Sequence, residues 1–368
     1  MGIARGAVKL MLEECSERKF TGTVLQLGRQ DLHFSKLQLE EWSNSKGIIL
    51  RKTKETSDNS AKGPLRLDLD DNQFFSMLGF DSVLSADFSD YENPSMTLDL
   101  NQPVPIELHE KFDVIFDGGT MEHCFNTFQV LKNIFSMLKK GGRVIHSSPS
   151  TNHVDHGFYM YSPTLFADYY AANNWKFLSL KVFSYTPRQN TEPCLVYDYE
   201  PGFLDAFSYG GFNDGRMLGI WCVCEKAEDS SSQNIPQQGF YTKRWSEEED
   251  LAINEIPEKL LGKRIKIYGA SARGCLVFDL IGEKCEVLGF LDNDSQKHET
   301  QLRETIIEKP TEKALDGIDF IVIASDYVVE IYDHLVSNGF PVGKIEAVGT
   351  DKRKLHSVKH WRKTPAEY

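Results

Sequence analysis

The sequence predicts an α/β protein built as two units, each a mostly parallel sheet with crossover helices. Three observations carry that reading. Short apolar runs alternate with helical patterns from Thr23 onward. The same rhythm restarts after a polar, Ser/Gln-rich, proline-bearing stretch, "EDSSSQNIPQQG", from Glu228 to Gly239. The 368 residues also exceed the usual size of one hydrophobic core. The expected division is 1–227 for the first unit, 228–258 for a linker, 259–350 for a smaller unit and 351–368 for a basic tail.

In chain order the first unit offers five strands: "TVLQL" at 23–27, "SVLSAD" at 82–87, "SMTLDL" at 95–100, "FDVIFD" at 112–117 and "RVIHSS" at 143–148. The polar stretch 43–64 after the first of these reads as a loop or lid. Between the fourth and fifth, Phe125, Phe128, Leu131, Ile134, Phe135 and Leu138 recur at helical spacing, with Lys139 and Lys140 in the last turn and Gly141 as stop. "SPTLFADYYAANN" predicts a helix capped by Ser162 with Pro163 at its first position. "WKFLSLKVFSY" and "RMLGIWCVCEKA" close the sheet as a final pair of strands. In the second unit "RIKIYGASARGCLVFDLIGEKCEVLGFLDND" reads strand, helix, strand, and "IDFIVIAS" with "YVVEIYDHLVSNGF" repeats the unit.

Composition excludes some functions. With 41 basic and 54 acidic residues the net charge is -13, which opposes binding to nucleic acid or anionic lipid. The local exception gathers Lys352, Arg353, Lys354, Lys359, Arg362 and Lys363, and reads as a solvated terminus. No run is long enough to span a bilayer, and the first twenty residues mix charges among apolar ones, so a cytoplasmic protein is expected. Seven scattered cysteines predict reduced thiols, and Cys222 and Cys224, two apart in a strand, point to one face of the core.

In open parallel sheets, ligands settle beyond the carboxyl ends of the strands where the strand order reverses. Asp87, Asp99 and Asp117 fall at three such ends. A carboxylate offers two acceptor oxygens, so Asp87 suits both ribose hydroxyls and Asp99 an adenine amino group. Gly28 lets the backbone approach a ligand, and Gly118 with Gly119 do so beneath it.

This order of parts resembles the class I methyltransferases that use S-adenosylmethionine. "VLQLGRQ" stands where that family has its glycine-rich first motif, "LSADFSDYE" where it has the ribose acid and "TLDLN" where it contacts adenine. "FDVIFDGGTMEHCFN" and "LKKGGRVI" match its fourth-strand region and the segment leading into its fifth strand. The resemblance covers Lys19 to Ala227. It implies a Rossmann-like sheet with an antiparallel closing pair, S-adenosylmethionine as cofactor, and methyl transfer to a small-molecule acceptor. The family's first motif carries two or three glycines, whereas here Gly28 is followed by Arg29, Gln30 and Asp31. Arg29 is then placed to meet the ligand's carboxylate.

Methyl transfer mainly needs alignment, with a base when the acceptor is a hydroxyl or carbon acid. His156 is the first candidate, then His153, then His123, each following a strand end on the presumed active face. His153, Asp155 and His156 with Glu122 or His123 also offer metal ligands, but their spacing matches no recognised zinc pattern, and no metal is expected.

In the second unit, Gly269, Ser271 and Gly274 approximate a dinucleotide fingerprint, with Asp292 eighteen residues past Gly274. The helix start at Ala272 and Arg273 suits a phosphate. This part resembles the small Rossmann-type domain of bacterial sugar acyltransferases and of some sugar C-methyltransferases, which implies a nucleotide-linked sugar as its ligand. The chain has no cysteine-rich module like that of the C-methyltransferases. The expected function is methyl transfer to a small polar acceptor, a sugar or nucleotide-sugar of a surface glycan pathway. Two other readings stand beside it, a catalytically degenerate binding protein and a nicotinamide-dependent oxidoreductase centred on Gly269 and Asp292.

Overall fold

The computed structural model describes residues 2–53, 69–189, 192–202, 204, 215–245, 255–350, 352–362 and 365–368. Part of the expected loop (54–64), part of the expected linker (246–254) and Lys363 lie outside the described residues. The chain divides into two units. The first holds 1–200, 213–237 and 365–368, the second 201–212 and 238–364.

The first unit contains α1 (Arg5–Glu17), β1 (Thr23–Leu27), α2 (Lys36–Ser45), α3 (Asp71–Leu78), β2 (Ser82–Asp87), β3 (Met96–Thr97), β4 (Phe112–Asp117), α4 (Thr127–Met137), β5 (Leu138–Pro149), α5 (Pro163–Ala172), β6 (Lys176–Tyr185), β7 (Leu195–Asp198) and β8 (Met217–Glu225). The sheet order is β7–β6–β8–β5–β4–β1–β2–β3, and Ala366–Glu367 adds a last strand beside β7. From β3 to β5 all pairs are parallel, whereas β8 runs antiparallel between β5 and β6. The chain leaves β1 toward β2 and returns to its other side with β4, so the order reverses between β1 and β4. A crevice therefore opens beyond Leu27 and Asp117.

Both faces of this sheet are covered, as its nearly continuous apolar strands require. Val24 and Phe116 join Val8, Leu12, Phe74 and Phe75 from α1 and α3 on one face. Leu25, Leu27 and Ile115 join Leu131, Ile134, Phe166 and Tyr170 from α4 and α5 on the other. Helix starts follow local chemistry. Ser35 with Gln38, and Asp70 with Gln73, form reciprocal capping boxes, and Ser162 caps α5 ahead of Pro163. Cys222 and Cys224 share a buried face with sulfurs 3.7 Å apart, and all seven cysteines are free.

Several expectations are corrected. The helix expected to include Phe125 begins at Thr127, because the Asn126 side chain accepts from Gln129 N and caps it there. Phe125 is consequently 69% exposed, and Lys139 and Lys140 belong to β5. "SMTLDL" shrinks to Met96–Thr97, since Asp99 Oδ1 accepts from Asn101 N and turns the chain. Residues 228–237 are no free linker: buried Asn173 accepts from Ser231 Oγ at 2.6 Å and from Asn234 N at 3.0 Å, which docks them on the first unit. The basic tail is no solvated terminus either, as Leu355 and Val358 bury one face of a helix.

The second unit contains β9 (Arg264–Tyr268), α6 (Ala272–Ile281), β10 (Glu286–Leu291), β11 (Thr305–Glu308), β12 (Phe320–Ile323), α7 (Val328–Ser337), β13 (Ile345–Ala347) and α8 (Lys352–Trp361). The order β11–β10–β9–β12–β13 is parallel throughout, with Gln301–Leu302 antiparallel at the β11 edge. One face packs on Val277 and Ile281 of α6, the other on Tyr332 and Leu335 of α7 and on α8. No helix among the described residues is long and apolar enough to cross a membrane.

Candidate functional site

Gly28 ends β1 at φ +73°, and its amide donates to Ala86 O at 2.7 Å, which draws it against the end of β2. A Cβ here would lie 2.9 Å from Thr120 Oγ1 and 3.8 Å from Asp87 Oδ2. Three chain segments thus converge on one bare backbone position. Thr120 is fixed by donating to Leu27 O at 2.5 Å. Asp87 is half-buried; Oδ1 accepts from Ser89 N at 3.3 Å, and Oδ2 has no hydrogen-bond partner among the described residues. Phe88, next in sequence, is 77% exposed. Asp99 is exposed, and its Oδ1 accepts from Asn101 N and Nδ2, both at 2.9 Å.

Two expected ligand contacts are otherwise engaged. Arg29 donates twice to Asp71, from Nε to Oδ2 at 2.7 Å and from Nη2 to Oδ1 at 2.6 Å, so its guanidinium is held by a buried carboxylate and does not wait for a ligand. Asp117 is fully buried. Its Oδ1 accepts from Thr120 N at 3.0 Å and Met121 N at 3.1 Å, and its Oδ2 faces His146 Nδ1 at 2.7 Å. His146 Nε2 lies 2.6 Å from Tyr170 Oη. A carboxylate oxygen only accepts, so the imidazole donates from Nδ1 to Asp117 and its Nε2 accepts from the Tyr170 hydroxyl, whose proton burial holds in place. Asp117 thereby organises the turn after β4 and offers no oxygen to a bound nucleoside. Gly118 and Gly119 are buried beneath the crevice, and a Cβ on Gly118 would meet Gln30 Oε1 at 2.4 Å. Gln30 fills the space beside Gly118, with its Oε1 unpartnered among the described residues.

The turn that Asp117 holds carries Met121–His123 as one 3-10 turn. Glu122 is fully buried, and neither carboxyl oxygen has a hydrogen-bond partner among the described residues. Its backbone oxygen accepts from Phe158 N at 2.9 Å and Tyr159 N at 3.3 Å, which ties in the loop carrying the other histidines. Gly157 is bare where a Cβ would lie 3.0 Å from Glu122 O. His156 Nε2 is 3.7 Å and His123 Nε2 4.0 Å from Glu122 Oε1, with ring centroids 5.1 Å apart. Burial and the Asp117 charge push the Glu122 carboxyl up to about 8. His153 stands aside, Nε2 accepting from Tyr185 Oη at 2.9 Å, and burial and then His156 lower its proton affinity. Asp155 is exposed and outside this cluster. A cavity of about 80 Å³ joins Gln30 and Gly118 to Ser148, Pro149, His153 and Tyr185.

Sequence reasoning missed Glu122 as a central group, Thr120, Gln30, Phe88 and His146. A carboxylate beside His123 and a lone His in an apolar strand were the available signals.

In the second unit Gly269 has φ +121°, and a Cβ on Gly274 would lie 2.0 Å from Gly269 O, so both glycines serve the close strand-to-helix turn. Ser271 caps α6 by accepting from Gly274 N at 3.4 Å. Asp292 is not open to a ribose: Oδ2 accepts from Ala270 N and Lys297 Nζ, both at 2.9 Å, and Oδ1 from Asp294 N.

The first unit is a Rossmann-like α/β domain whose parallel strands are closed by an antiparallel pair, the arrangement that the sequence resemblance implies. No family model matches the sequence, and no curated protein matches it. Solved structures do. A putative methyltransferase from Bacillus halodurans is 12% identical, covering 60% of this chain and 98% of that one at TM-score 0.30. A methyltransferase from Thermotoga maritima, described as a possible histamine N-methyltransferase, is 13% identical over 60% of this chain and 88% of that one at 0.31. UDP-D-quinovosamine 4-dehydrogenase from Vibrio fischeri is 23% identical, covering 23% of this chain and 75% of that one at 0.19. Overlaps this shallow assign neither ligand nor activity.

Proposed function

We propose that the first unit binds S-adenosylmethionine and transfers its methyl group to a small polar acceptor, a sugar or nucleotide-sugar. The observation that carries this is the Asp87 carboxylate, its Oδ2 unpartnered among the described residues and facing the bare backbone of Gly28 at the point where strand order reverses. The residues fit the donor. A Cβ at Gly28 would close the approach, Asp87 would take the ribose hydroxyls, and exposed Phe88 and Asp99, following the ends of β2 and β3, would flank the base. When bound, the donor supplies an electrophilic methyl on a positively charged sulfur.

The chain's own task is to hold the acceptor and take its proton. His156 and His123, beside buried Glu122, and His153, on the cavity, are the groups placed for it. Burial and then His156 disfavour the protonated form of His153, and its Nε2 already accepts from Tyr185, so it is the least free of the three to take a proton. Gln30, which fills space beside Gly118, supports the second reading, a protein that binds without turnover. For the second unit, the start of α6 at Ser271 suits a phosphate of a nucleotide-linked sugar. The engagement of Asp292 by Ala270 and Lys297 weighs against dinucleotide chemistry there.

Calorimetry with S-adenosylhomocysteine tests the donor site. The reading expects binding that Asp87→Ala weakens by at least about tenfold, through loss of charge-assisted hydrogen bonds. No binding by the folded protein would overturn it, and binding without product from any sugar acceptor would favour the second reading.

A further inference from the structure

The geometry points to a metal site: we propose that Glu122, His123 and His156 hold one divalent transition-metal ion, leaving coordination positions open to an oxygen of the acceptor. Their ligand atoms all lie within 4.8 Å of one another. His156 Nε2 and His123 Nε2 stand 3.7 Å and 4.0 Å from the same oxygen, Glu122 Oε1, and the two rings are tilted by 62°. Both nitrogens therefore lie around one carboxylate oxygen. An ion bonded at about 2.0–2.2 Å to each donor needs them about 3–3.5 Å apart. Closing the two nitrogen–oxygen gaps takes up to about an ångström, and drawing in the widest separation of ligand atoms, up to 4.8 Å, takes up to about 1.8 Å, for which half-exposed His123 has room to turn.

The second observation is independent of that geometry. Glu122 is 0% exposed, and both its oxygens lack a hydrogen-bond partner among the described residues. A buried carboxylate with no hydrogen bond among the described residues, and with imidazole nitrogens only at 3.7 Å and 4.0 Å, is costly and persists only where a proton or a cation compensates it. The surrounding chain holds it there deliberately: its backbone oxygen takes two amides from the loop that delivers His156, and Gly157 clears space against its Cγ at 3.1 Å. Two imidazoles and one carboxylate select ions of the manganese-to-zinc series over magnesium or calcium, which prefer all-oxygen sets. Sequence spacing conceals the set, because Glu122 and His123 are adjacent and His156 arrives from a different loop.

The ion site stands on these residues alone. Only its role, holding a hydroxyl of the acceptor, rests on the methyl-transfer reading, and with the ion bound His123 and His156 act as its ligands and not as proton acceptors.

The test is a titration of the full, chelator-stripped chain with CoCl2, followed by visible absorption, with ZnCl2 as competitor and no methyl donor present. The expected result is one Co2+ per chain, displaced by Zn2+, with Glu122→Gln and His156→Asn each weakening binding at least about tenfold. Asp155→Asn, on the same loop but outside the cluster, leaves it unchanged. Absence of a cobalt spectrum at one equivalent, or a spectrum and affinity unaltered in both His156→Asn and Glu122→Gln, overturns the proposal. Should Glu122→Gln fail to fold, His156→Asn and His123→Asn decide. S-adenosylhomocysteine binding measured on the same samples separates the two proposals, since cobalt binding without it sinks only the methyl-transfer reading, and the reverse sinks only the metal.

Discussion

Replacing Asp117 by Asn probes the buried chain Asp117–His146–Tyr170 that supports the site. Asp117 receives three donors, His146 Nδ1 at 2.7 Å, Thr120 N at 3.0 Å and Met121 N at 3.1 Å. Asparagine keeps the shape but turns one oxygen into an NH2. If its oxygen stays on the two amides, the NH2 meets the His146 Nδ1 proton, which must move to Nε2. The Tyr170 hydroxyl then becomes an acceptor, and its own hydrogen is left without one, since it has no other partner among the described residues. One stranded buried donor costs about 1–3 kcal/mol. Asp117→Ala strands all three donors and costs about 3–5 kcal/mol, as breaking a buried pair does. In a domain of about 200 residues each kcal/mol moves Tm by about 2–4 °C, so Asn lowers it by about 2–12 °C and Ala by more. Differential scanning calorimetry at pH 7 measures both. A shift under about 1 °C for Asn together with an equally small one for Ala refutes the assigned proton positions and the supporting role.

Gly28→Ala places a side chain at φ +73° and within 2.9 Å of Thr120 Oγ1, so it costs about 1–3 kcal/mol in thermal unfolding and abolishes detectable S-adenosylhomocysteine binding. Gln30→Gly removes the side chain beside Gly118 and is expected to tighten that binding severalfold while lowering stability by about 0.5–1 kcal/mol through chain entropy; unchanged affinity would show that Gln30 does not occupy donor space. Asp71→Ala leaves the Arg29 guanidinium without its bidentate partner and lowers stability by about 3–5 kcal/mol, read by urea unfolding. His153 is favoured neutral in the fold, chiefly by burial. It therefore contributes stability above its unfolded value, near 6.5, that is lost as pH falls through its lowered folded value, and imidazole NMR should place its titration below 6.5. A titration at or above 6.5 would contradict the burial account.

The strand-helix rhythm was legible because the central parallel strands β1 and β4 are buried along most of their length and carry mainly apolar residues, and Ser162–Pro163 spells a helix start. That Gly28 and Asp87 stand together at the ends of neighbouring strands was legible because each strand end is written in its local pattern. Arg29, Asp117 and Asp292 were misread because a charged side chain's partner is set by tertiary contacts. Asp71, His146 and Lys297 claim those charges from positions the local pattern does not reveal. Glu122, His123 and His156 come together only when two loops meet through backbone bonds to Glu122 O. The tail's burial was written at Leu355 and Val358, three apart, but the surrounding lysines and arginines masked it.

The most direct measurement is a crystal structure of the chain grown with S-adenosylhomocysteine. The account predicts density beyond the ends of β1 and β2, with both ribose hydroxyls on the Asp87 carboxylate, the base beside Phe88 and the sulfur turned toward the Glu122 cluster. Density elsewhere, or Asp87 turned away from a nucleoside that is clearly bound, would contradict it.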